Sequence, residues 1–457
     1  MELGRRRARG YSNVNKSIYN GMCLALCALA AVGCADAEQH PAVTTSVPGS
    51  AGVSGGPLTN TLTVYAIDAD SGEPIAGAAV FLGSGQGAKS VGHTDQVGKL
   101  ALAGLGGTPQ MVSISSAGYA AATWGLVKSA VATIPLESTG SPASDVTVTI
   151  SIPAWDDLPP VAAGAYRVAR FSFSRPKGLD ALEVPLTSPL PECKQTSTTT
   201  GSCSVTFQVP PDTTSVLAVI AEGTDSGTPD DPSDDNVAMT ALGIQTGLSL
   251  RAVLSQGLTL SLLDSTSVAF AQMSTSVPTE SVFEDVIGVP GISLDGQILL
   301  YPGLGPRATS FLVPTANGPF VNAKLWAVAT ADNGTSTAWS RVYERGIDPV
   351  KSASQTVKLT TSTFIESPSI TKTGPYQCAL TGDGNVQRLE FATPSGEQLN
   401  ALLFPAQTEF EIPAGVLSEE PNAAAVESFD LEVDPSSFNL AELTQSTRIA
   451  YTRADAL

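Results

Sequence analysis

Very few residues in this chain could do chemistry. There are two histidines in 457 residues. His40 lies in a stretch almost free of large apolar side chains, and His93 sits in the turn-rich "GHTDQVGKLAL". A Ser-His-Asp relay would have to use His93, and no G-x-S-x-G elbow accompanies it. With so few histidines and cysteines, a zinc site lacks ligands. The glycine-rich "GLGG" and "GSGQG" do not match a phosphate-binding loop. A glycosidase needs only a pair of carboxylates, and acidic residues are plentiful, but nothing singles out a pair. No catalytic residue is therefore assigned, and a hydrolase ranks behind a protein that binds or scaffolds.

Two stretches are candidates for ligand contact. In "GTDSGTPDDPSDDN" the carboxylates Asp225, Asp230, Asp231, Asp234 and Asp235 crowd one loop. Calcium takes about six to eight oxygen ligands of this kind. The spacing lacks the regularity of known calcium loops, so a solvated acidic loop is the competing reading. In "PAWDDLPP", Trp155 stands beside Asp156 and Asp157. A loop tryptophan can stack on a sugar ring while neighbouring carboxylates bond its hydroxyls. Alternatively, the ring plugs a junction between two domains.

The N-terminus carries the strongest local signal. Arg5, Arg6, Arg7, Arg9 and Lys16 precede the apolar "MCLALCALAAV", and "AVGCADAE" follows. Basic region, short apolar core and small residues make a secretory signal, with a core too short to span a bilayer. Ala31-Val32-Gly33-Cys34 resembles the lipobox of bacterial lipoproteins, although alanine stands where leucine is usual. The resemblance implies acylation of Cys34, which would hold the chain to a membrane through its lipid. Ala35, rather than aspartate, implies the outer membrane of a Gram-negative bacterium. A start at Met22 instead of Met1 would remove the basic region. The segment "PAVTTSVPGSAGVSGGP", 41–57, has little to bury, so residues 34–57 read as a flexible tether.

Cysteine usage agrees with export. Cys23 and Cys27 leave with the signal, and Cys34 takes the lipid. Cys193 and Cys203 bracket a polar loop and read as a hairpin closed by a disulfide. Cys378, in "PYQCALTG", reads as a small buried hydrophobe in a strand.

The rest of the chain reads as strands joined by turns. Apolar residues make up 42%, and there are 42 glycines and 32 prolines. Such punctuation favours short strands over helices. In "TLTVYAI", Leu62, Val64 and Ala66 alternate with Thr61, Thr63 and Tyr65, the period of a half-buried strand. Asp70-Ser71-Gly72 supplies a turn, and Pro74 precedes the next apolar run, "GAAVFL". The order of "VYAIDADSGEPIAGAAVFL", "GHTDQVGKLALAGL" and "VSISSAGYAAAT" resembles the carboxypeptidase regulatory-like domain. That resemblance implies a prealbumin-like β-sandwich over residues 58–140 and an accessory rather than a catalytic role.

A repeat runs through the remainder. Phe207/Pro210, Phe311/Pro314 and Phe410/Pro413 each open a loop that leads into an alternating strand. The prolines are 104 and 99 residues apart. That is the size of a β-sandwich domain, not of a solenoid unit. The fold class expected is all-β, as tandem sandwiches: 58–140, 141–265, 266–366 and 367–457, each separable from the others. A terminal helix is expected over "DPSSFNLAELTQS", where Asp434 and Pro435 suit a helix start. The formal charge is −19, and removing residues 1–33, which carry +4, takes it to −23. A surface so acidic repels phosphate backbones, so nucleic acid is excluded as a partner. A polysaccharide or an envelope protein remains as the expected partner, with calcium as the one cofactor to consider.

Overall fold

The computed structural model describes residues 51–140, 146–174, 192–196, 202–209, 213–224, 236–250, 256–276, 285–294, 297–302, 310–332, 338–431, 434, 437–440 and 448–454. Throughout them the chain builds strands, and the regular alternation seen in the sequence sets which side is buried. Leu62, Val64 and Ala66 are wholly buried, while Thr63 and Tyr65 between them are half-buried. The all-β expectation holds.

Four modules follow one another. The first contains β1 (Gly52–Pro57), β2 (Leu62–Asp68), β3 (Ala79–Leu82), β4 (Lys89–His93), β5 (Lys99–Leu102), β6 (Gln110–Ser115), β7 (Ala121–Val127) and β8 (Ser129–Leu136). The second contains β9 (Val146–Ile152), β10 (Ala165–Phe173), β11 (Cys193–Thr196), β12 (Cys203–Val209), β13 (Val216–Thr224), β14 (Asn236–Gln245) and β15 (Gln256–Thr259). The third contains β16 (Val268–Ser276), β17 (Asp285–Leu294), β18 (Gln297–Leu300), β19 (Ser310–Pro314), β20 (Lys324–Asp332), β21 (Ala338–Ile347) and β22 (Thr356–Thr363). The fourth contains β23 (Ser369–Gly374), β24 (Gln377–Thr381), β25 (Val386–Ala392), β26 (Gln398–Leu403), β27 (Glu409–Glu411), β28 (Ala423–Asp430) and β29 (Arg448–Ala454).

One wiring recurs. In the first module β2 lies between β5, antiparallel, and β8, parallel. β9 lies likewise between β12 and β15, and β16 between β19 and β22. The facing four strands run β4-β3-β6-β7, β11-β10-β13-β14, β18-β17-β20-β21 and β26-β25-β28-β29. Only the fourth module departs, with an antiparallel β23-β24-β27 as its smaller sheet. The repeat therefore includes the first module, which the sequence pattern alone did not join to the others. Its marker is positional: Phe207, Phe311 and Phe410 lie on β12, β19 and β27 and are buried. Each ring meets an aromatic partner, Phe171, Tyr301 and Phe391 respectively. The corresponding strand of the first module, β5 ("KLAL"), has no such ring, which hid the relationship.

The modules do not hang as separate beads. Three of the four-stranded sheets merge into one of twelve strands, in the order β18-β17-β20-β21-β29-β28-β25-β26-β7-β6-β3-β4. β21 pairs antiparallel with β29, from Ala338↔Thr452 to Val342↔Arg448. β26 pairs parallel with β7, from Leu399↔Ala121 to Leu403↔Gly125, so the first module docks on the last.

The second module joins by its face instead. Along β13, Val216, Ala218 and Ile220 enter that module's own core, and Leu217, Val219 and Ala221 enter the large core shared with the third. A strand apolar on both sides is what a sheet covered on both faces requires.

The tether expected over 34–57 does not extend to Pro57: Gly52–Pro57 is a strand, held to β8 by backbone hydrogen bonds that leave no apolar pattern. The expected terminal helix falls mostly on 435–436 and 441–447, outside the described residues.

Candidate functional site

Trp155 is the candidate that the structure places most clearly. It ends a short turn after β9, is 2% exposed, and belongs to the core of the second module. Leu158 packs on the same core, and Asp156 and Asp157 point to solvent. Beside the ring lies Arg167 of β10, itself buried, with its guanidinium carbon 5.9 Å from the indole centre. Arg167 Nε donates to Glu222 Oε1 at 2.9 Å, Nη1 to Gln195 Oε1 at 3.2 Å, and Nη2 to the Pro159 carbonyl at 2.5 Å. The loop "PAWDDLPP" is thus pinned from both sides, by the ring in the core and by the guanidinium on Pro159. Such an arrangement leaves Trp155 no open face for a sugar. The two aspartates are accessible, but they no longer flank a stacking platform. That reading of the ring is corrected by its burial.

Cys193 and Cys203 form a disulfide, with Cα atoms 5.5 Å apart. The hairpin expected around it is not what the bridge closes. Cys193 begins β11, which pairs with β10, and Cys203 begins β12, which pairs with β9 in the other sheet. The bond is a staple between the two sheets of the sandwich. Cys378 is a buried free thiol in β24. Burial pushes its pKa up to about 11, against a smaller opposing pull from Lys372, so it is held as the unreactive thiol.

His93 is exposed at the end of β4, opposite Ala79. Cys34, His40 and the acidic loop with Asp225, Asp230, Asp231, Asp234 and Asp235 lie outside the described residues. Among the described residues, no group of three or more His, Cys, Asp and Glu side chains converges as a metal site.

A cluster that the sequence reading did not weigh lies on the twelve-stranded sheet where the third and fourth modules meet. Trp339, Arg341, Tyr343 and Arg345 alternate along β21, which puts all four on one face. Arg341 stacks on Trp339 at 4.6 Å, and Arg345 stacks on Trp326 at 5.1 Å. Trp339 lies flat on Tyr451 of β29, with ring centres 5.3 Å apart and 16° between planes. Across the strands, Trp339, Tyr451, Glu427 and Arg388 stand in one row. Arg388 Nε donates to Glu427 Oε2 at 2.7 Å, and both side chains are buried. Arg341 Nε donates to Thr330, and its Nη1 donates to the Tyr343 hydroxyl at 3.1 Å.

Burial raises the Tyr343 phenol, with Arg341 opposing, and burial lowers the Arg345 guanidinium to about 10. These groups spend their polar capacity on one another. Chemically the cluster is a joint: Trp339 of the third module stacks on Tyr451 of the fourth, with stacked cations beside it on the same face. The signal for it was present in "WSRVYER", where period-2 reading aligns the aromatics with the arginines.

No protein-family model matches the sequence, and no curated protein does. Among solved structures the chain is similar to the Bacillus anthracis TIE protein, at 10% identity over 66% of this chain and 50% of that one, TM-score 0.15. It is also similar to the shaft pilin SpaA of Lactobacillus rhamnosus GG, at 15% identity over 45% and 98%, TM-score 0.14. A third similarity is to the pilus adhesin SpaC of the same organism, at 8% over 78% and 44%, TM-score 0.16. The chain spans about half the length of the first of these. At such scores the likeness says nothing of function.

Proposed function

We propose that this protein is a lipid-anchored, non-catalytic scaffold of a bacterial envelope, which works by presenting loops of a stiff multi-module body to a partner. The observation that carries the reading is the twelve-stranded sheet. It makes one slab of three modules, and the second module is packed on by an apolar face. Such a body suits holding a fixed geometry better than closing around a substrate. The buried arginines Arg167 and Arg388 are tied to Glu222 and Glu427 across neighbouring strands of their own modules. Attachment through Cys34 at an outer membrane is the second half of the proposal, and it rests on the signal and lipobox residues. Several acyl chains, at ~0.8 kcal/mol per buried methylene, suffice for near-permanent attachment.

Two measurements test the two halves separately. An alkyne fatty acid should label the wild-type chain in cells and not the Cys34→Ala variant, which should leave the membrane fraction. Equal labelling and retention of that variant would end the anchoring claim. The soluble variant, offered as bait to envelope extracts and to glycan arrays, should capture a partner and show no turnover of sugar, ester or peptide substrates. Turnover lost on changing one or two carboxylates would end the scaffold claim.

A further inference from the structure

β1 is an edge strand of its sheet with little side-chain burial. Gly52 and Val53 are buried, and the four residues from Ser54 to Pro57 are exposed. Its register against β8 breaks between Ser54 and Pro57. A strand with so little side-chain burial belongs to the low-stability end of a structure, where local opening precedes global unfolding.

Yet the other side of β1 grips a different module. The Val53 N–H donates to the Phe438 carbonyl at 2.7 Å, the Leu440 N–H donates to the Ala51 carbonyl at 3.0 Å, and Gly52 bridges to Asn439. Phe438 is buried and stacks on Phe404, with centres 5.3 Å apart. Phe404 in turn meets Trp124 of β7 edge-on at 5.8 Å. Gly52 is needed here: it holds φ 153°, and a Cβ would overlap the Phe438 carbonyl oxygen. One short stretch of backbone thus extends the first module's sheet and clamps residues 437–440 of the fourth.

We propose that β1 is a strap by which the N-terminal segment controls the joint between the first and fourth modules. Seated, it presses Phe438 onto Phe404 and Trp124. Withdrawn, it bares the edge of β8 and frees 437–440 to lift. The inference concerns backbone pairing and holds with or without the lipid.

Hydrogen exchange on the Cys34→Ala chain, soluble and otherwise intact, tests it. Amides of Val53 and Leu440 should exchange together and ahead of Val64 and Ile134. Gly52→Val should speed both by roughly tenfold or more, while leaving Val64 and Ile134 unchanged, since local opening is independent of the core. Phe438→Ala attacks the joint from the other side and should give the same paired response. Val53 protected as well as Ile134 in the parent chain would overturn the proposal. So would Leu440 remaining at its parent rate in both variants.

Discussion

The second module and the first are attached to the body in opposite ways. The second presents a face: Leu217, Val219, Ala221 and Met239 pack into the shared core, and Met239 Sδ even accepts the Leu312 N–H at 3.1 Å. The first presents an edge: β7 runs beside β26 in parallel for five residues, with Ala121 packed into the fourth module's core and Trp124 against Phe404 beside the paired backbones. Face packing depends on apolar area, at about 25 cal/mol per Å² buried. Edge pairing depends on hydrogen bonds that satisfy groups which would otherwise invite another chain. The two joints should therefore fail under different insults.

The largest effect is expected at neither joint but at the buried ion pair of Arg388 and Glu427, which links β25 and β28 inside the fourth module. Removing one partner strands a charge in the interior, so Glu427→Ala should cost about 3–5 kcal/mol in denaturant unfolding. Replacing both partners by apolar residues of similar size should recover much of the loss.

Next comes the face. Leu217→Ala should cost about 2–4 kcal/mol, since a leucine buried at an interface leaves a cavity. It should also loosen the second module from the third, splitting one thermal transition into two. A single transition shifted as a whole would show that the face does not govern that joint.

At the edge, Gly125→Ala places a Cβ 2.8 Å from Leu403 Cδ2 and 2.9 Å from Gln407 Nε2. Overpacking of this kind should cost about 1–3 kcal/mol. Exchange should rise in β7 and β26 and stay unchanged in β13. The disulfide is expected to be of similar size: Cys193→Ser with Cys203→Ser should lose about 2–3 kcal/mol, as a short closed loop gives up modest chain entropy.

The smallest effect lies at the turn between the second and third modules. Asp264 accepts from the Thr266 hydroxyl and from the backbone N–H groups of Thr266 and Ser267. The Thr266 hydroxyl is the largest of the influences that lower its pKa. A carboxyl depressed on folding contributes stability above its unfolded pKa of about 3.9, and the contribution vanishes as pH falls through the folded value. Asp264→Asn should thus lower the unfolding midpoint slightly at neutral pH and not at all in strong acid. The same small difference at both extremes would detach this turn from titration.

What the sequence revealed tracks the same contrast. The alternation in "TLTVYAI" announces a strand, because side chains carry that information. The Phe-x-x-Pro marker was legible for three modules, since each buried phenylalanine lies on a strand of the module's smaller sheet, β12, β19 and β27. Edge pairing left no such trace. Nothing in "AATWGLV" or "QLNALL" says that these strands meet, because any residue but proline can donate and accept. For the same reason β1 passed for part of the tether. Trp155 misled differently: its neighbours are polar, so its burial was set by Arg167 and Pro159, which approach from elsewhere in the module.

The claim on which the rest depends is that the first module's β7 lies in register with the fourth module's β26. In that register Ala122 stands opposite Asn400. The double variant Ala122→Cys, Asn400→Cys, in a chain whose free thiol among the described residues, Cys378, is buried, should form a disulfide on mild oxidation. Peptide mapping should find the 122–400 bridge in near-full yield, and the shifted pair 122–402 should stay reduced. Failure of the 122–400 pair to bridge, or equal bridging of both pairs, would contradict the continuous sheet.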